Sequence, residues 1–154
     1  MSDDAIAPLR RFRSGSGGYR WDGVELRDYK VAGAAPFRDV TRQTLFSRAD
    51  LAGELRYFEV APGGHSTLER HRHVHAVLIL QGRGTALVGE EVFRVEPFDL
   101  VTVAPVTWHQ FRATTESPLG FLCMVDASRD RPELPVAAEL ARLRAHPALA
   151  GFLR

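Results

Sequence analysis

From residue 19 to residue 125 the chain carries no run of apolar residues at helical spacing; turn residues cut it into short pieces instead. Pro62-Gly63-Gly64, Gly82-Arg83-Gly84, Gly89-Glu90-Glu91 and Ser117-Pro118 are the breaks. Between them lie strand-length apolar or alternating segments at 55–60, 76–80, 85–88, 92–95, 100–103 and 121–125. Many short strands joined by tight turns must close on themselves or pack as two sheets to hide their edges. The pattern therefore predicts a mainly β protein, an antiparallel sandwich or barrel. Its 154 residues suffice for one domain. The character changes after Asp126. Pro135 opens and Pro147 closes a stretch in which Val136, Leu140 and Leu143 recur at helical spacing, so a helix is expected over 136–145. The apolar tail at 149–153 is expected to pack on the outside of the barrel or across a dimer contact. Residues 1–18, with the run Ser14-Gly15-Ser16-Gly17-Gly18, read as a flexible arm, residues 19–130 as the barrel and residues 131–154 as the helical tail.

Composition then removes whole classes of function. One cysteine excludes an internal disulfide framework and any thiolate-rich zinc or iron–sulfur site. A net charge of +1 makes no case for a nucleic-acid or membrane partner. The cluster Arg10, Arg11 and Arg13, offset by Asp3 and Asp4, reads as a solvated arm. No apolar run approaches the ~20 residues of a membrane span, and no signal-peptide core follows Met1, so the expected location is cytoplasmic.

Five of the six histidines fall between residues 65 and 109. Glu69, His71, His73 and His75 are spaced two apart, so an extended strand turns all four to one face, ~7 Å between neighbours. If that strand bends, two or three imidazoles and a carboxylate converge on one cation, with His109 as the remote ligand from another strand. Imidazole and carboxylate suit a divalent first-row metal such as manganese, iron, nickel or zinc. The bland reading is a solvated histidine face without a ligand. Four coordinating side chains in register, leading into an apolar strand, argue against it. His65, in a turn, and His146, near a helix end, are read as bystanders. Cys123 shares a strand face with Phe121 and Val125; on residues alone it is either a small buried hydrophobe or a catalytic thiol.

The histidine segment resembles the first motif of the cupins, small β-barrels marked by a Gly-led H-x-H-x(3,4)-E-x(6)-G and a later second histidine. Gly82 sets the register: His75 stands where the family has glutamate, and His71 and Glu69 stand where it has histidines. His109, in Pro105-Val106-Thr107-Trp108-His109, matches the second-motif histidine, with Val106 in place of that motif's glycine. The resemblance thus implies a cupin-type jelly roll with a C-terminal helix and the ligand set Glu69, His71, His75 and His109. His73 is left over, as a group behind the ligands, an acid–base, or a ligand in Glu69's place.

The stretches GGHSTLERHRHVHAVLILQGRG, PFDLVTVAPVTWHQFRA and LGFLCMVDASRDRPELP further resemble one cupin group, the 1-methylthio-D-xylulose 5-phosphate methylsulfurylases. That resemblance implies a metal, manganese above all, and a cysteine nucleophile at Cys123. It also implies transfer of a methylthio group from the ketose phosphate to glutathione, giving 1-deoxy-D-xylulose 5-phosphate, in a methylthioadenosine salvage route linked to isoprenoid precursors. Attack on sulfur expels a carbanion at C1, whose charge moves onto the C2 oxygen as an enolate that a metal stabilises. His73 is the candidate acid for C1. Arg56, Arg83 and Arg112 are candidates for the phosphate, each also readable as an ordinary surface charge. A metal-dependent dioxygenase or sugar isomerase, and a non-catalytic small-molecule-binding cupin, are the alternatives. A homodimer is expected.

Overall fold

A computed structural model describes residues 7–153. Eleven strands and one helix follow in order: β1 Phe12–Gly15, β2 Gly18–Trp21, β3 Arg27–Asp28, β4 Arg38–Phe46, β5 Gly53–His65, β6 His75–Gly82, β7 Gly84–Val88, β8 Glu91–Val95, β9 Leu100–Val103, β10 His109–Ala113, β11 Leu119–Asp126 and α1 Ala137–Ala145. Strands β3 to β11 form one curled antiparallel sheet in the order β8-β7-β10-β5-β11-β6-β9, with β4 on β5 and β3 on β4. The expected mainly β barrel with a C-terminal helix is the observed fold.

Alternation decides what lies inside. On β11, Phe121, Cys123 and Val125 are buried while Met124 is exposed, and they meet Val77 and Ile79 of β6 and Val60 and Phe58 of β5 in one core. A second apolar cluster lies on the outside, where Leu143 of α1 and Leu149, Phe152 and Leu153 of the tail cover Leu87 and Trp108. The tail thus packs on the outer face of its own barrel. No described helix is long and apolar enough to cross a membrane.

Two long-range strands escape the pattern reading because polar residues fill their cavity-facing positions and are buried on the opposite face as well. In β4, Gln43 is buried and donates to the Tyr19 carbonyl (2.9 Å), while Arg42 lines the cavity. β10 begins on the buried pair His109 and Gln110. Pro62-Gly63-Gly64 does not end its strand: β5 bends there, with Gly63 at φ 77°, and reaches His65 to pair with β10. Of the expected arm, residues 1–6, Asp3 and Asp4 among them, lie outside the described residues. The Ser14–Gly18 run closes the β1–β2 hairpin, whose Tyr19 and Trp21 rings pack on Tyr57. Aromatic burial supplies the order that this run's composition does not.

Candidate active site

The segment from Glu69 to His75 is not the straight strand its spacing suggests. The Glu69 backbone bridges to His109, the chain then bends at Arg72 and His73, and β6 starts only at His75. Asp130, just beyond β11, the strand paired with β6, holds the bend: its carboxylate accepts from the Arg72 and His73 amides (2.8 and 3.0 Å) and meets His73 Nδ1 at 2.8 Å. Those amide donors hold the Asp130 carboxyl well below the usual carboxylate range. The bend stacks the His71 and His73 rings 3.6 Å apart and turns His71 toward His75 and His109.

Candidate ligand atoms of His71, His75 and His109 all lie within 4.8 Å of one another. Each ring has its Nδ1 engaged: His71 with the His73 carbonyl at 2.7 Å, His109 with the Thr107 carbonyl at 2.9 Å, His75 with Cys123 Sγ at 3.0 Å. Their Nε2 atoms are thereby left for a ligand, and those of His71 and His75 are buried without any hydrogen-bond partner. Burial, reinforced by the neighbouring imidazoles, pushes His71 down to about 4 and lowers His75 further. Burial also lowers His109. All three rings are thus neutral near pH 7, with lone pairs aimed at one point. Buried polar atoms with no partner are costly, and a divalent cation is what these three nitrogens fit.

The second-motif turn braces this group. Val106 sits at φ 57°, the left-handed conformation that the family's glycine adopts freely, and its amide donates to the His71 carbonyl at 2.7 Å. A β-branched residue held there stores about 1–3 kcal/mol, and glycine would return about 1 kcal/mol of that through its looser unfolded chain. Val106→Gly is therefore expected to stabilise the protein by about 1 kcal/mol, read as a higher urea midpoint at unchanged slope.

Cys123 lies on the cavity floor, 1% exposed. It is paired across the sheet with Arg56 on one side and Val77 on the other. Burial pushes its thiol up, and the Arg56 guanidinium, 4.0 Å from Sγ, pulls the other way.

The structure thus brings Glu69, His71, His73, His75, His109, Cys123 and Arg56 to one cavity. Within it the Glu69 carboxylate accepts from Lys30 and is not part of the three-histidine group. Arg83 and Arg112 do not reach the cavity. Arg83 is exposed near Glu96 (3.7 Å), and Arg112 lies over the Phe152 ring at 4.8 Å. Lys30, Arg42, Arg129 and Asp130 line the cavity too; sequence reasoning passed over Lys30 and Arg42 because their segments carry no motif, and over Arg129 and Asp130 because the resemblance over 119–135 singles out Cys123 alone. His65 and His146 lie elsewhere, beside Ser66 and Glu90.

Four similarities bear on this site. A 1-methylthio-D-xylulose 5-phosphate methylsulfurylase from Rhodospirillum rubrum is 62% identical over 146 residues, 95% of this chain and 92% of that protein. The crystal structure of a cupin 2 conserved barrel domain protein from Rhodopseudomonas palustris superposes with a TM-score of 0.86 at 55% identity, covering 95% of this chain and 99% of the other. A cupin-2 domain crystal structure from Rhodospirillum rubrum gives 0.85 at 61% identity, over 92% and 95%. The cupin-domain profile matches residues 56–125, from the strand that carries Arg56 to the one that carries Cys123. Fold, histidine geometry and these relatives agree: the chain belongs to the cupin family, together with that methylsulfurylase.

Proposed function

We propose that this cupin is a glutathione-dependent methylthio transferase acting on 1-methylthio-D-xylulose 5-phosphate, with Cys123 as nucleophile. The observation that carries the reading is the 3.0 Å contact between Cys123 Sγ and Nδ1 of His75, a ring whose other nitrogen faces the three-histidine group. A ring that offers its Nε2 lone pair outward keeps its proton on Nδ1 and donates it to Sγ, which favours the thiolate. The 62% identical methylsulfurylase supports the same assignment.

His71, His75 and His109 would hold a divalent metal, manganese being our assignment, with Glu69 as a fourth ligand once its carboxylate leaves Lys30. When bound, that ion supplies Lewis-acid stabilisation for negative charge on the substrate's C2 oxygen. The thiolate of Cys123 attacks the methylthio sulfur; the Cys–S bond forms, the C1–S bond breaks, and its electron pair stays on the sugar. His73 then delivers a proton to C1 from Nε2, its Nδ1 being held by Asp130 (2.8 Å), and 1-deoxy-D-xylulose 5-phosphate results. Glutathione thiolate next attacks the Cys123 disulfide, leaves as the methyl–glutathione disulfide and returns Cys123 as thiolate. Glutathione is the reductant of the overall exchange.

The test is a trapping experiment. Metal-loaded protein given the ketose phosphate without glutathione should gain one methylthio group per chain in an intact-mass spectrum, located at Cys123 by peptide mapping. Added glutathione should remove it. A chain that forms product while its mass stays unmodified at every time point would overturn the nucleophile assignment.

A further inference from the structure

Cationic side chains crowd one wall of the cavity without enough acceptors. Arg42 of β4, Arg56 of β5 and Arg129, just beyond β11, all line it. One carboxylate serves two of them: Glu54 lies 3.3 Å from Arg129 and 3.7 Å from Arg56, and the longer distance exceeds a hydrogen bond. Arg56 is 8% exposed, and its Nε is buried with no hydrogen-bond partner.

Arg42 is poorer still. Its Nε is likewise buried and unpartnered. Its cross-strand neighbour on β3 is another arginine, Arg27, a pairing of like charges that costs stability. Burial first, and then Arg56, Arg27 and Arg129, lower its basicity. One buried and two half-buried guanidinium groups, close together and short of acceptors, are a poor arrangement for stability alone, and a good one for binding an anion bidentately.

We propose that Arg42 and Arg56, flanked by Arg129, form the subsite for the phosphate dianion of the substrate. This rests on the methylthio-ketose phosphate reading above and fixes how that substrate lies. Arg56 is directly opposite Cys123 across β5 and β11, and Arg42 is one strand further, opposite Phe58. Two strand spacings and the two-residue step from Arg56 to Phe58 put the Cα atoms of Cys123 and Arg42 about 12 Å apart, a distance bridged by an extended five-carbon chain with a substituent at each end and the long arginine side chain. C1 thus lies at Cys123 and the phosphate at Arg42. Three guanidiniums and Glu54 leave an excess of two positive charges, which a phosphate dianion matches and a single carboxylate of glutathione does not.

Arg42 is partly exposed, so Arg42→Gln should fold. In metal-loaded, full-length protein, the lost charge-assisted hydrogen bonds should raise KM for the ketose phosphate about 10- to 100-fold. KM for glutathione should not move, and orthophosphate should bind more weakly by calorimetry. Arg42→Lys should recover part of the loss, and Arg83→Gln, on the surface, should behave as wild type. A rise in the glutathione KM alone would reassign the wall to the tripeptide's carboxylates and overturn the proposal. So would a fall in kcat with orthophosphate binding unchanged. If the wild-type protein does not turn over the ketose at all, the transferase reading fails and calorimetry decides this one separately: orthophosphate bound by wild type and lost in Arg42→Gln sustains the anion subsite, and equal binding by both rejects it.

Discussion

Cys123→Ser should abolish methylthio transfer, by about 10⁴-fold or more in kcat, while the protein keeps its fold and its metal. The fold should survive because a hydroxyl fits the space of the thiol in a position that is 1% exposed, and it has a partner waiting in His75 Nδ1. The metal should survive because Cys123 is not in the three-histidine group. Activity should not survive, because attack on divalent sulfur needs a soft thiolate, and a serine hydroxyl at neutral pH supplies neither softness nor charge. The same variant separates this reading from the other cupin chemistries. A dioxygenase or isomerase would work from the imidazoles, and a binding module would need no nucleophile; neither would miss the thiol. Full turnover in Cys123→Ser would sink the transferase reading, and circular dichroism with metal analysis on the same sample guards against a trivial loss.

How much of this was legible beforehand follows from the kind of signal each residue carries. The six segments read as strands all lie within observed strands because their apolar alternation is local and their turns carry glycine. β4 was not legible: Arg42 faces the cavity and Gln43, on the opposite face, is buried under the β1–β2 hairpin, polar residues that only the finished barrel explains. The histidine group was half legible. The two-residue spacing marked His71 and His75, but the same spacing placed Glu69 and His73 beside them. What separates them is the bend made by Asp130, 57 residues from His73, a contact that spacing along the chain does not signal. Lys30 is the same case. It lies 39 residues before Glu69, yet takes the carboxylate that spacing offers to the metal. Of the three phosphate candidates, Arg56 lines the cavity and the other two do not reach it. Arg83 lies in the turn between β6 and β7 and Arg112 on the outer face of β10, three residues after His109, whereas Arg42 and Arg56 share the inner face with Cys123.

Metal binding should depend on His71, His75 and His109 more steeply than on Glu69. In the metal-free chain His71 and His109 are buried and His75 half-buried, all three are held neutral, and the Nε2 atoms of His71 and His75 have no partner, so the site is preorganised and an ion at a hundred times its dissociation constant should raise stability by about 2.7 kcal/mol. His71→Ala and His109→Ala each remove one of three nitrogens and open the others to solvent; they should lose nearly all of that gain and purify without metal. Glu69→Gln is the graded case. The carboxylate must first give up Lys30, so its net contribution to the ion is the difference between two attractions, and its loss should weaken binding by about 10- to 100-fold, the range seen for groups that support a metal from behind its ligands. Lys30→Met should do the opposite. It frees the carboxylate for the ion and leaves an uncompensated negative charge beside three neutral imidazoles, so metal affinity should rise while the metal-free protein becomes less stable. Titrating manganese or zinc into the four variants, with unfolding midpoints measured at each concentration, gives the whole order at once. A Glu69→Gln variant as empty as His71→Ala would make the carboxylate an equal ligand; a Lys30→Met variant that binds no tighter than wild type would show that the carboxylate never leaves the wall to reach the ion.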